Sequence, residues 1–203
     1  MLPTREEALS LLDWAAARNP GPWREHSLNA ARVAERVAAA AGLDAERALV
    51  LGALHDIGRW EGVRSAHHVI SGYRLMRERG WDEVARICMT HSFPDKDLDN
   101  HFGWDVTEAE RAEIQAFVDG ADYDDYDRLI QLADALAMAD GVCLMEKRLV
   151  DVALRYGMRP ELANKWRAFK AIQRDFEGRI GGSVYALFPE AAAVTFGTAR
   201  EGR

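Results

Sequence analysis

The chain has 203 residues, 48% of them hydrophobic and 29% charged, a balance typical of one sizeable globular domain with its own core. A net charge of −7 and a pI near 5.4 do not fit a broad nucleic-acid surface, which usually shows clustered lysine and arginine. No apolar run is long enough to cross a bilayer and the N-terminus lacks a secretory pattern, so we expect a cytoplasmic protein without nucleic-acid polymer or membrane partners.

Helical signals follow one another along the whole chain. Thr4 and Glu7 have the spacing of a capping box, which predicts a helix to about Arg18. Apolar residues at helical spacing predict a second helix over about 23–41 and a third over about 45–57, after which Gly58 starts a loop. Further helices are predicted over about 66–79, 82–91, from 107, 126–139, 146–156 and 160–177. Because no alternating strand pattern competes, the predicted fold class is all-α, in a single domain spanning 1–203.

Ligand-type side chains lie on the inward faces of three of these helices. His26 precedes Ala30 by four residues on an apolar stripe, and His55-Asp56 ends the apolar run 48–54. Asp134 lies within the apolar sequence 129–137 of a later helix. A buried polar pair such as His55-Asp56 is unfavourable unless a metal or a hydrogen-bond partner compensates it.

Two interpretations of these residues are open from the residues alone. Imidazole and carboxylate groups together suit Mn²⁺, Fe²⁺, Ni²⁺ or Zn²⁺, and helical bundles often hold such ions between facing helices. Taken singly, an inward histidine is more often a hydrogen-bonded core residue, and an inward aspartate often bonds to a nearby loop.

The order His26, His55-Asp56, Asp134 resembles the HD-domain superfamily of metal-dependent phosphohydrolases, and 55–58 matches its His-Asp-Ile-Gly variant. The resemblance covers about 22–142. It implies a helical bundle with the metal site between core helices, and we expect the helices of 143–203, which lie outside the resemblance, to pack on that core. It also implies that His26, His55, Asp56 and Asp134 bind the first of one or two divalent ions, whose identity among Mn, Fe, Ni, Mg and Zn stays open.

His68 and His91 are similar to the additional ligands of binuclear members of this superfamily, in which Asp56 would bridge the two ions. Two ions about 3.5–4 Å apart can hold a hydroxide and neutralise both the attacking and the leaving oxygen of a phosphoryl group. In the alternative interpretation, His68 and His91 hydrogen-bond to the ligands or contact the substrate. His101 lies in a polar stretch and is predicted to be on the surface.

Arg59 occupies the position where some nucleotide-hydrolysing members of the superfamily have a catalytic glutamate. A guanidinium there suits the orientation of a substrate phosphate. The alternative is a solvated loop charge, the commoner state of an arginine. The predicted catalytic residues are therefore Asp56 and Arg59, without glutamate assistance.

The predicted function is cleavage of a small phosphomonoester or nucleotide by a metal-activated hydroxide. Two other functions fit the same ligands: a mixed-valent di-iron oxygenase of the superfamily, and a nucleotide-binding sensor without catalysis. The sequence leaves the substrate, the metal and the oligomeric state open. It also leaves open whether the segment 181–188 packs on its own core or on a partner.

Overall fold

The computed structural model describes residues 1–62, 64–101 and 103–198, and its regular structure is almost entirely helical. The α-helices of the described residues are α1 Arg5–Arg18, α2 Trp23–Ala41, α3 Ala45–Leu54, α4 His67–Glu78, α5 Asp82–Thr90, α6 Glu108–Gly120, α7 Asp125–Leu136, α8 Met145–Tyr156, α9 Leu162–Ile180 and α10 Ala191–Thr195. The predicted all-α fold class is confirmed. Residues 199–203, the end of the predicted domain, lie outside the described residues.

A two-stranded antiparallel sheet follows α7, where the sequence predicts helix as far as residue 139. Strand β1 is Ala137–Met138 and strand β2 is Gly141–Val142, with Ala137 opposite Val142. Strands of two residues are too short to show an alternating pattern, so the sequence had no signal for them. The hairpin ends α7 two residues after Asp134.

The third helix ends earlier than predicted, at Leu54 rather than at Ile57. His55 and Asp56 form a turn, and a 3-10 helix covers Ile57–Glu61, opened by a hydrogen bond from the Arg59 N–H to the Asp56 carbonyl at 3.0 Å. Apolar periodicity reports which residues are buried, whereas the change to a tighter helix depends on what the last turn packs against. Gly58 lies inside this 3-10 helix instead of starting a loop.

The core is built around α2 and α3, which cross closely. A Cβ on Gly52 would lie 2.8 Å from the Cα of Ala31, so only glycine allows the two backbones this approach. Helices α7 and α9 complete the same core, to which α9 contributes the buried rings of Phe169 and Phe176.

The segment 181–188 packs on the chain's own core. It includes a 3-10 helix over Val184–Leu187, and Val184 and Phe188 are buried with the residues of the main core. This decides the alternative that the sequence left open for these residues. Among the described helices, none combines the length and the apolar character that a membrane span requires.

Candidate metal centre

His55 and Asp56 lie at the C-terminal end of α3, whose residues from Ala48 to Leu54 are all buried. The apolar helix therefore carries both polar side chains into the interior, where His55 is fully buried and Asp56 is 3% exposed. The Nδ1 of His55 lies 2.7 Å from the carbonyl oxygen of Gly52. Because a carbonyl can only accept, Nδ1 carries the proton and Nε2 presents its lone pair to the centre.

His26 of α2 and Asp134 of α7 lie beside His55. The Nε2 of His26 is 3.0 Å from the Oδ1 of Asp134, and the Nε2 of His55 is 4.0 Å from the same oxygen. One ligand atom from each of these three residues lies within 4.8 Å of the others. Three helices that are distant in the sequence thus bring two imidazoles and a carboxylate to one point.

Asp56, His68 and His91 form a second group, in which one ligand atom from each residue again lies within 4.8 Å of the others. His68 is in the first turn of α4 and His91 follows α5 directly, and both are buried. Their Nε2 atoms are 3.3 Å apart.

Asp56 connects the two groups because its two oxygens face different histidines. Its Oδ2 is 4.0 Å from the Nε2 of His26 and 3.9 Å from that of His55. Its Oδ1 is 3.2 Å from the Nε2 of His68 and 3.6 Å from that of His91. This arrangement is suited to one carboxylate that bridges two cations.

Two buried histidine nitrogens without a hydrogen-bond partner in the described part of the chain show whether a metal ion fits this site. The Nε2 atoms of His26 and His55 are buried and have no hydrogen-bond partner among the described residues. The Nδ1 of His26 lies 3.1 Å from the Ala137 carbonyl oxygen, so its Nε2 also presents a lone pair, directly toward a carboxylate oxygen. Two lone pairs that face each other repel unless a cation lies between them, and a divalent ion therefore fits these residues.

The protonation states favour metal binding as well. Burial lowers the pKa of His55 to about 4, and burial together with Arg59 holds the pKa of His68 well below its usual value. Burial opposes ionisation of Asp56, but Arg59 and the nearby imidazoles keep its pKa well below the usual range. Neutral imidazoles and ionised carboxylates are the forms that bind metals.

Two arginines contact the carboxylates of the centre. The Nε of Arg59 lies 2.5 Å from the Oδ2 of Asp56, and an Nη of Arg148 lies 3.2 Å from the Oδ1 of Asp134. Burial opposes ionisation of Asp134 too, while His26 and Arg148 keep its pKa well below the usual range. Arg59 is therefore not a solvated loop charge, since it is held against the bridging carboxylate.

The family model of the HD domain matches residues 23–139, more than half of the chain. The chain belongs to the HD-domain family. The members of this family are generally metal-dependent phosphohydrolases, which agrees with the donor set found here. The match contains all six predicted ligands of this HD domain and ends before α8 and α9.

Curated relatives of this HD domain are ribonucleases Y. The chain is 29% identical to ribonuclease Y of Mycoplasma capricolum over 106 residues, which are 52% of the chain and 20% of that protein. It is 40% identical to ribonuclease Y of Mesoplasma florum over 60 residues, which are 29% of the chain and 12% of that protein. The chain thus matches a fifth or less of the length of these relatives. No solved structure matches the chain.

The prediction that His101 lies on the surface was wrong. His101 is 8% exposed, and its ring lies 5.3 Å from that of Phe93 and 5.2 Å from that of Trp104. Its polar neighbours in the sequence suggested exposure, but the loop that begins after the 3-10 helix Leu98–Asn100 places the His101 ring against aromatic side chains. Asp105 anchors this loop because its carboxylate accepts hydrogen bonds from backbone N–H groups of 65–67, at the start of α4.

The sequence interpretation missed the contribution of α8 and α9 to a cavity that adjoins the centre. Arg148, in the first turn of α8, contacts Asp134 and lines this cavity. The signal lay in the spacing, since 148, 152 and 155 follow the i, i+4, i+7 pattern of one helix face and all line the cavity. Lys165 of α9 lines it from the opposite helix.

A buried polar network holds His91 in place. Asp127 of α7 is fully buried and accepts hydrogen bonds from the Thr90 hydroxyl at 2.7 Å and from the Arg86 guanidinium at 2.6 Å. The side-chain amide of Gln131 donates to the Thr90 carbonyl at 3.0 Å. The end of α5 that carries His91 is therefore attached to α7.

We expect Asp127→Ala to lower the free energy of unfolding by about 3 kcal/mol, because it removes the buried carboxylate that pairs with the Arg86 cation and accepts from the Thr90 hydroxyl. Urea unfolding at neutral pH measures this loss. The exposed Asp122, just before the same helix, provides the control: Asp122→Ala is expected to change the stability by no more than about 0.5 kcal/mol. Equal stability of the two variants would show that the network contributes nothing.

Proposed function

We propose that this HD domain is a phosphohydrolase that cleaves a small phosphomonoester or nucleotide at a centre of one or two divalent ions. His26, His55, Asp56 and Asp134 are the proposed ligands of the first ion, and His68, His91 and Asp56 those of a second. The observation that carries the proposal is Asp56, whose two carboxylate oxygens face separate pairs of histidines.

Bound divalent ions supply an activated water as nucleophile and neutralise charge on phosphoryl oxygens. The protein's own residues prepare this chemistry by position and charge. Backbone carbonyls fix the Nδ1 protons of His26, His55 and His91, so that all three direct Nε2 toward the centre. Arg59, held by Asp56 and lining the cavity, is placed to orient a phosphate oxygen.

We also propose that residues 143–198 belong to the same domain as the ligand-bearing helices. Rings of α9 lie in the core shared with α2 and α7, and α8 places Arg148 against Asp134. The cavity beside the centre has walls from both parts of the chain. A cavity with walls on both sides of the centre favours a small substrate over a polymer such as the RNA implied by the name of the relatives.

A metal-by-substrate matrix tests the proposed function. The purified protein is stripped of metal, reloaded separately with Mn²⁺, Fe²⁺, Ni²⁺, Mg²⁺ or Zn²⁺, and assayed for phosphate release from nucleotides and sugar phosphates. We expect phosphate release that depends on the metal, with one or two ions bound per chain by mass spectrometry. Cleavage of an RNA oligonucleotide alone would contradict the small-substrate proposal, and oxygen consumption with iron but no phosphate release would contradict the hydrolase.

A further inference from the structure

The cavity beside the metal centre has walls of different character. One side carries two of the proposed ligands, His68 and Asp134, with the hydroxyls of Ser65 and Ser92 nearby. The other side is formed by α8 and α9, which contribute apolar side chains and three cations: Leu149, Val152, Leu162, Trp166 and Phe169, with Arg148, Arg155 and Lys165. A ligand of this cavity would therefore meet polar groups at the metal end, and both apolar and cationic side chains on the wall of α8 and α9.

Four basic side chains line the same cavity, and three of them already have carboxylate partners. Arg59 is paired with Asp56 at 2.5 Å, and Arg148 with Asp134 at 3.2 Å. Arg155 is paired at 2.7 Å with Asp151, one turn before it on α8. Each of these three arginines therefore has a carboxylate partner within the protein.

Lys165 is the fourth of these cations and differs from the other three. Its side chain is half-buried, and within residues 1–62, 64–101 and 103–198 the structure gives its ammonium group neither a hydrogen bond nor an ion pair. Burial lowers the pKa of Lys165, and the more distant carboxylates of Asp95 and Asp134 oppose this effect. A partly desolvated ammonium without a partner is unfavourable in the ligand-free protein, and it becomes favourable once an anion binds beside it.

We propose that Lys165 binds the phosphate of the substrate, and that the apolar wall of Trp166 and Phe169 packs against the organic part of the same molecule. This inference rests on the proposed function, because it takes the cavity as the substrate pocket. The substrate class is then a phosphate ester with an aromatic or aliphatic group close to the phosphate. The helix that supplies these residues lies outside the region matched by the HD-domain family model, so this chain's own C-terminal part sets the specificity.

Binding of inorganic phosphate to the metal-loaded protein tests the role of Lys165 without requiring turnover. Isothermal titration is expected to show that Lys165→Met binds phosphate about 10- to 100-fold more weakly than the unchanged protein, the usual effect of losing a hydrogen bond to a charged group. Lys165→Arg, which keeps the positive charge, is expected to retain most of the affinity. Metal content is expected to stay the same in all three proteins.

Lys170 provides a matched control on the same helix. It pairs with Glu146 and is not among the residues that line the cavity, so Lys170→Met is expected to leave phosphate affinity unchanged. Thermal unfolding separates a binding role from a structural one. Lys165→Met is expected to keep or raise the melting temperature of the ligand-free protein, because it removes a half-buried charge that has no partner among the described residues.

Three outcomes would overturn the assignment of Lys165: unchanged phosphate affinity in Lys165→Met, a clear fall in its melting temperature, or no phosphate binding by the unchanged protein. Phosphate binding that depends on Lys165, in a protein that hydrolyses none of the tested esters, would support the assignment while contradicting the proposed function. Phosphate release that is unchanged in Lys165→Met would support the proposed function while contradicting the assignment of Lys165. The role of Lys165 and the phosphohydrolase function can therefore be refuted independently of each other.

Discussion

Replacing Asp56 with asparagine is expected to abolish metal binding at the second group of ligands, weaken it at the first, and reduce phosphate release at least about 100-fold. Loss of a residue that only supports a metal ligand typically costs about 10- to 100-fold, and Asp56 faces both groups directly. An amide offers one oxygen in place of two and carries no charge, so it cannot bridge two cations in the same way. Metal content by mass spectrometry and phosphate release measure the two effects.

The stability of the Asp56→Asn variant separates a metal role from a folding role. Metal is expected to raise the melting temperature of the unchanged protein, because a ligand that binds the folded state stabilises it, and to raise that of the variant much less. Asp119→Asn, on the exposed end of α6, is the control and is expected to behave like the unchanged protein. Full metal content and activity in Asp56→Asn would exclude Asp56 as the bridging ligand.

The Gly58→Ala substitution is expected to lower the free energy of unfolding by about 3 kcal/mol or more, the upper part of the range for overpacked cores. A Cβ at this position would lie 2.0 Å from the carbonyl oxygen of His68 and 2.5 Å from the backbone nitrogen of Gly72. Both contacts are with the backbone of α4, so no side-chain rotation can relieve them. The displaced segment carries His68, and metal affinity is therefore expected to fall with stability.

Gly178→Ala is the matched control for this substitution. Gly178 is exposed within α9, and a Cβ there would meet no atom within 4 Å. Because alanine is the better helix former, this variant is expected to gain up to about 1 kcal/mol. Urea unfolding of both variants, with metal content measured in parallel, checks the comparison. A Gly58→Ala protein as stable as its Gly178→Ala counterpart would show that the approach of the two segments is not tight.

The HD-domain family model ends at residue 139, and the proposed metal ligands and the proposed specificity residues lie on different sides of this point. The region matched by the HD-domain family model contains every proposed metal ligand, from His26 to Asp134. Arg148, Lys165 and the apolar wall of the cavity come from the helices after it. The first part of the chain would then supply the metal chemistry, and the part after it would supply the substrate specificity. Such a division would allow proteins with the same metal centre to act on different substrates.

The sequence by itself determined the fold class and the order of the helices. Capping signals and apolar spacing act over a few residues, and the bounds of α1 and α2 follow from them. The inward faces that carry His26, His55 and Asp134 follow from the same periodicity. The spacing of these residues along the chain, however, says nothing about the distances between their side chains.

Only the tertiary structure decided which groups meet. The early end of α3 and the packing of Gly58 on α4 depend on a neighbouring backbone, and they place the two oxygens of Asp56 against different histidines. The same holds for the inward fold of the loop at His101 and for the partners of Arg148. Whether a charged side chain is solvated or buried depends on residues far away in the chain, and for Lys165 those residues are the walls of a cavity that exists only after α9 has packed on the core.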